Sequence, residues 1–234
     1  MSDIYYFSLL MVSSHEQLLV EIKWLTRWYQ GTPEMIFHNF NFELQKNDFC
    51  FVIGKSGIGK TSLVKFLIRQ LLPPKKMIFF KKEDIARFTD AEVQLYRRKI
   101  GVVFQDYKLI GHHTVRQNVV YPLEMLGQVI THDHPLVTDI LVRLNLFEKK
   151  DFLADHMSGG EKQRVSIARA LATQPEFIIA DEPTGNLDRE LSKEIADAMI
   201  DVHRAGNTIM FITHDQRLIE YVNQKITPKV FELH

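Results

Sequence analysis

The chain has 234 residues and is 45% hydrophobic, enough for one large domain, or a core carrying an inserted lobe, with a substantial interior. Lys plus Arg and Asp plus Glu each number 29, so no global field favours nucleic acid or an anionic membrane surface. The single cysteine, Cys50, excludes an internal disulfide and a cysteine-rich metal site and suits a reducing compartment.

The first apolar stretch, Ile4 to Val12, would span about 14 Å as a helix, against about 30 Å of hydrocarbon. It is too short to cross a membrane and lacks the positive leading region of a signal peptide. A cytoplasmic protein with a short leading extension is expected. Leu18 to Trp24 and Phe37 to Leu44 alternate apolar and polar residues as half-buried strands do, and the continuous apolar run Phe49 to Ile53, which holds Cys50 as a small core residue, reads as a buried strand. Lys60 to Leu72 reads as a helix stopped by Pro73-Pro74. The basic run Arg97-Arg98-Lys99 reads as a solvated face. Further strands end at polar groups: Ile100 to Phe104 at Gln105, Phe177 to Ala180 at Asp181-Glu182, and Thr208 to Thr213 at His214. In open α/β sheets ligands bind outside the carboxyl ends of the strands, which predicts one shared site. Between Thr114 and Thr173 helical spacing takes over, with Val115, Val119 and Leu123 in one segment and Ile140, Leu144 and Phe147 in another. Thr131 to Pro135 is the most loop-like interior stretch, and no internal repeat is present.

Two segments are built to hold phosphate. In Gly54-Lys55-Ser56-Gly57-Ile58-Gly59-Lys60-Thr61 a glycine-rich loop follows a strand and opens a helix, the context its pattern requires. Lys60 then neutralises the β and γ phosphates, Thr61 ligates magnesium, and the N–H groups from Gly57 to Ser62 wrap the phosphate chain. A bare glycine turn is the competing reading, and the flanking strand and helix disfavour it. In Met157-Ser158-Gly159-Gly160-Glu161-Lys162-Gln163 a serine at a helix N-cap precedes two glycines, so a second set of N–H groups faces an anion. One ATP needs both cradles only if two copies of the chain face each other.

Asp181-Glu182 closes an apolar strand with two carboxylates of different role: the first orients magnesium, and Glu182 accepts a proton from the attacking water, worth about a hundredfold to ten-thousandfold in rate. A helix N-terminal acidic pair is the alternative. His112-His113 and His132-Asp133-His134 have no supporting ligands at a recognised spacing and read as exposed loop histidines, so no metal beyond magnesium is expected.

The pairing of these two phosphate motifs resembles the ATP-binding cassette ATPases, and from about Leu18 to His214 the order of loop motifs is complete. The resemblance implies an α/β fold: a P-loop NTPase (RecA-like) core with an antiparallel β subdomain and an inserted α-helical subdomain at about 111–172, within an ATP-binding domain of 18–234 behind a 1–17 extension. It implies that Gln105 contacts magnesium and the water, that His214 holds the γ phosphate, that Asp188 in Gly185-Asn186-Leu187-Asp188 lies in the loop crossing the dimer interface, and that Tyr29, next to Trp28, stacks on adenine. Each ATP would lie between Gly54, Ser56, Gly57, Gly59, Lys60, Thr61, Ser62, Asp181, Glu182 and His214 of one chain and Ser158, Gly159 and Gly160 of the other.

Pro183-Thr184-Gly185-Asn186-Leu187-Asp188 looks like the branch holding lipoprotein-release, macrolide-export and cell-division ATPases. The segment Arg97 to Tyr107, with Asn118-Val119 and Pro122-Leu123-Glu124, is most similar to the cell-division group. That group implies a homodimer, peripheral on the inner face of the plasma membrane, working on an FtsX-like integral membrane protein without nucleic acid. A partner helix would dock at Tyr107, Leu109 and Ile110. An export ATPase, a soluble cassette in DNA repair or translation, and a non-hydrolysing scaffold are the rivals; the last is disfavoured by Glu182 and His214. Met157 stands where the family usually has leucine, a swap of similar volume.

Overall fold

The computed structural model describes residues 18–28, 35–55, 57–131 and 134–233. The extension 1–17, Tyr29, Ser56, His132 and Asp133 lie outside them. In chain order the elements are Leu18–Trp28 (β1), Met35–Gln45 (β2), Phe49–Ile53 (β3), Lys60–Leu67 (α1), Ile78–Phe80 (β4), Glu83–Asp84 (β5), Asp90–Arg97 (α2) and Ile100–Phe104 (β6). Then come Val115–Met125 (α3), Pro135–Arg143 (α4), Gly159–Ala172 (α5), Phe177–Asp181 (β7), Arg189–Arg204 (α6), Ile209–Thr213 (β8), Gln216–Asn223 (α7) and Lys229–Glu232 (β9).

Two sheets result: an antiparallel one in the order β2-β1-β4-β5 and one in the order β6-β7-β8-β3-β9, whose strand pairs are parallel. The apolar run of β3 follows from its place in the second sheet. Phe49, Phe51 and Ile53 face the helices, whereas Cys50 and Val52 face the core shared with the antiparallel sheet. A strand covered on both faces leaves no position for a polar side chain. Cys50 is fully buried, and burial first, with Asp48 beside it, pushes its thiol up to about 12, so it is an inert packing group. Between β6 and β7 the chain forms α3, α4 and α5, held by their own apolar faces against the helix-side core.

The ends of β1, β2 and α1 differ from the sequence expectation. Strands β1 and β2 run beyond Trp24 and Leu44, because positive φ at Trp24 and Asn39 and register shifts between Ile22, Leu25 and Arg27 break the alternation without ending the pairing. Helix α1 stops at Leu67, well before the prolines. Arg69 adopts φ +55, its N–H reaches Phe66 O at 3.0 Å, and the N–H of Gln70 reaches Lys65 O at 2.8 Å, the double closure of a left-handed helix end. Arg97 donates to Ile68 O and Arg69 O at 2.9 and 3.0 Å and so ties that turn to α2. Among the described residues no helix is long and apolar enough to cross a membrane.

Candidate active site

The loop after β3 turns through Gly57 at φ +83 and Gly59 at φ +104, conformations that suit glycine, and Gly59 becomes the N-cap of α1 without any side-chain cap. The first N–H groups of α1 are thereby left for a ligand. Lys60, at the first position of α1, is buried, and its amine donates to Gly54 O at 2.8 Å and Lys55 O at 3.1 Å while standing 3.3 Å from Glu182 Oε1. Thr61 is exposed and Ser62 half-exposed at the mouth of the same loop.

Asp181 ends β7, next to β6 and β8, and Glu182 follows it at φ +47. Asp181 is only 8% exposed, and its Oδ1 is buried without a hydrogen-bond partner among the described residues. Burial first and the Glu182 charge second push its carboxyl up to about 6, against the pull of Lys60 and Lys65. An unpaired buried carboxylate oxygen beside a phosphate loop is a position that a divalent cation would satisfy. Glu182 is placed between two neighbours: Lys60 on one side and His214 Nδ1 on the other, 2.9 and 3.0 Å from the two carboxylate oxygens.

Gln105 leaves β6 on the same side, but its amide points to the Asp188 loop: Nε2 donates to Asn186 Oδ1 at 3.1 Å, and Asn186 Nδ2 donates back to Gln105 O at 3.2 Å. The contact needs Gly185, where a Cβ would lie 2.8 Å from Gln105 Nε2. Asp188 itself caps α6, accepting from the N–H groups of Glu190 and Leu191 at 3.0 Å each. Ser158 caps α5 in a capping box with Glu161, whose carboxylate is held low by Lys149 and by the Ser158 N–H. At Gly159 a Cβ would meet Tyr107 Oη at 3.2 Å and Leu187 at 3.3 Å. The start of α5 therefore rests on the loops carrying Gln105 and Asp188. Ser158, Gly159 and Gly160 make no hydrogen bond to the Lys60 loop among those described.

Three residues shaping this arrangement have no role expected from the sequence, although Asn118 and Asn186 lie within segments that carry the family resemblance. Arg169 donates to the carbonyls of Tyr107 and Lys108, both at positive φ. Fully buried Asn118 accepts from the Ile110 N–H at 2.9 Å and donates to the carbonyls of Ile110 and Thr114 at 3.1 and 3.0 Å. Asn186 is the third. For Arg169 and Asn118 the sequence signal was a polar residue set within an otherwise apolar helical stretch, whereas Asn186 lies in the Gly185-Asn186-Leu187-Asp188 loop, in which Asp188 alone was given a role. Tyr107, Leu109 and Ile110 are half-buried, and Leu109 packs on the helix-side core. His112 is exposed and His113 half-buried, and no metal-binding group of histidines and acids occurs among the described residues.

A triphosphate chain is the ligand these groups suit, and the class they define is the P-loop ATPase. Residues 37–185 match the family described as ABC transporter. The cell division ATP-binding protein FtsE of Bacillus subtilis is 34% identical over 208 residues, covering 89% of this chain and 91% of that protein. The protein of the same name from Escherichia coli K12 is 35% identical over 201 residues, 86% and 90% of the two chains. Among solved structures, cbiO1 from Clostridium perfringens, part of the ABC transporter complex cbiONQ, matches at TM-score 0.81 and 26% identity over 93% of this chain and 85% of that one. The dimeric bacterial ABC transporter cassette MJ0796 matches at TM-score 0.77 and 27% identity over 92% and 94%. The chain belongs to the ABC transporter family, as one of its ATP-binding, ATP-hydrolysing cassettes.

Proposed function

We propose that this protein is the ATPase subunit of a cell-division membrane complex: a homodimer closing two ATP molecules, docked on an FtsX-like integral membrane protein at the inner face of the plasma membrane, and passing ATP-driven dimerisation outward as a signal that regulates cell-wall hydrolysis. The observation that carries this reading is relatedness along nearly the whole chain to proteins named for cell division in Bacillus subtilis and Escherichia coli. The MJ0796 cassette is described as dimeric, and also in a post-hydrolysis state bound to ADP and Pi, which supports the paired arrangement.

In this mechanism Lys60 transfers its amine from the carbonyls of Gly54 and Lys55 to phosphate oxygens, and the N–H groups from Gly57 to Ser62 hold the rest of the chain. Magnesium, held by Thr61, Asp181 and Gln105, would supply charge neutralisation on the transferred phosphoryl group. Asp181 is the best supported of the three, through its unpaired oxygen. Glu182 takes the proton of the attacking water, and His214, already within hydrogen-bond reach, fixes the carboxylate and meets the γ phosphate. Ser158, Gly159 and Gly160 of the second copy complete the site, a contact that two-fold symmetry doubles. Tyr29 is assigned to adenine from its place in the sequence.

The membrane partner is assigned to a groove of about 380 Å³ between α2, β6, α3 and α5, lined by Arg97, Arg98, Pro122, Met125 and Arg169. Three arginines, of which Arg97 and Arg169 also donate to backbone carbonyls, lie beside exposed Met125, a basic and partly apolar surface that suits a partner helix carrying acidic and apolar residues. The test is copurification of tagged Glu182→Gln protein with ATP from detergent-solubilised native membranes. Recovery of an FtsX-like protein supports the division reading. A transporter permease in its place moves the same chemistry to export, and recovery of no membrane protein overturns the membrane role.

A further inference from the structure

A cleft of about 650 Å³ opens between α4, the C-terminal end of α5 and the C-terminal half of α6. It lies at the end of the parallel sheet opposite the phosphate loop, beside the residues that lead into β7 and β8. Ile140, Leu144 and Val202 are buried at its base, Leu136, Leu171 and Ala198 remain half-exposed, and the Asp139–Arg143 pair at 2.8 Å stands on its rim.

The described chain begins at this same end. Leu18 pairs with Gln45, whose N–H donates to Asp48 Oδ2 at 2.8 Å. The neighbouring Asn47 N–H donates to Thr208 Oγ1 at 2.9 Å, and Asn207, one residue earlier, lines the cleft. A second route runs from Leu19 O to the Lys81 N–H at 2.9 Å and from the Lys81 amine to Glu176 at 2.5 Å, beside Pro175 of the cleft wall. The start of the first strand is thus linked to the cleft rim through these contacts.

Those residues include Ile4 to Val12, apolar or aromatic at every position except Ser8. Such a run is stabilised only by a surface that removes it from water. Residues 13 to 17 can bridge up to roughly 17 Å. The leading stretch 1–17 contains Asp3 and Glu16 but no Lys or Arg, whereas segments that lie on lipid use basic residues beside their apolar face. The cleft offers half-exposed Leu136, Leu171 and Ala198 to an apolar segment, with Asp139 and Arg143 already paired to each other on its rim.

We propose that Ile4 to Val12 of the same chain occupies the cleft between α4, α5 and α6, clamping the antiparallel sheet to the helices on the far side of the parallel sheet. The proposal is independent of the division role, because it concerns a face remote from the nucleotide.

The test uses the full-length chain carrying Ala205→Cys on the cleft rim, paired in turn with Tyr6→Cys, Leu9→Cys or Leu10→Cys so that register does not decide the outcome. Cys50 stays silent because it is fully buried. The expected result is an intramolecular disulfide in at least one pair under mild oxidation. Its yield should fall several-fold with Ala198→Arg in the cleft, and also with Phe7→Asp, which alters no described packing, while ATP binding is unchanged. Disulfides only between copies would overturn the proposal in favour of a second chain. Absence of any disulfide, a yield unchanged by both variants, or flotation of the protein with phosphatidylglycerol vesicles that Phe7→Asp abolishes would also overturn it.

Discussion

The carboxylate of Glu182 stands 3.3 Å from the amine of Lys60, so the residue assigned to the water and the residue assigned to the phosphates neutralise each other before nucleotide arrives. Both side chains are largely out of solvent, which makes the pair more than a surface contact. A phosphate bound by Lys60 as proposed would have to displace Glu182 as its partner. Glu182→Gln is expected to slow ATP turnover about a hundredfold to ten-thousandfold, and to tighten binding of ADP, which cannot be turned over, by up to about tenfold, or ~1.4 kcal/mol. Titration calorimetry with ADP measures the second effect. An unchanged ADP affinity would show that the pair opposes nothing, and turnover at the parental rate would remove Glu182 as the base.

Asp181 gives a pH dependence whose sign is fixed by its raised pKa. Between the ordinary carboxylate range near 4 and its folded value of about 6, the native protein keeps a proton that the unfolded chain has lost. Its contribution thus favours folding at low pH and declines as pH rises through about 6, where an ionised, buried and unpaired oxygen becomes a cost. In magnesium-free and nucleotide-free protein, Asp181→Asn is expected to raise stability at pH 7.5 by on the order of 1–2 kcal/mol and to flatten the dependence between pH 4 and 6. Urea unfolding across that range provides the readout. A variant less stable than the parent at pH 7.5 would mean that burial does not penalise this carboxylate.

Much of this site could be read in the chain because its parts are local. The Gly54 to Thr61 loop needs glycine where φ is positive, and the strands that deliver Gln105, Asp181 and His214 are apolar because both faces of the parallel sheet are covered. What was not legible depends on bonds between distant residues. Arg169 reaches the backbone of Lys108, 61 positions away, and Gln105 meets Asn186, 81 positions away. Neither pairing leaves a pattern at short spacing. The end of α1 was missed for a related reason: a non-glycine residue, Arg69, adopts the left-handed conformation and is held there by long-range bonds to Phe88 and from Arg97.

Arg169 itself can be tested as a positioning residue. Its guanidinium supports two consecutive left-handed residues, Tyr107 and Lys108, that begin two positions after Gln105, and a lysine lacks the planar fork that serves two carbonyls together. Arg169→Lys is expected to lower kcat by about tenfold, as a misplacement of catalytic groups does, with ATP affinity preserved because the Lys60 loop is untouched. A loss confined to affinity, with kcat unchanged, would show that the loop does not reach the reacting groups.

The two candidate docking surfaces make opposite demands on mutagenesis. Leu109 packs on the helix-side core, so Leu109→Asp would bury a charge and is expected to cost about 2–4 kcal/mol of stability, confounding any loss of partner binding. Met125 is 68% exposed on the groove rim, with Arg97 and Arg98 also lining the groove. Met125→Asp is therefore expected to leave the thermal midpoint and nucleotide affinity within error of the parent, since exposed substitutions usually stay within about 0.5 kcal/mol. It should abolish retention on membranes that hold the partner, because the new carboxylate meets the acidic face expected of the docking helix. Retention equal to the parent would exclude this groove, and recovery of binding by a basic substitution on the partner helix would fix the pairing of the two surfaces.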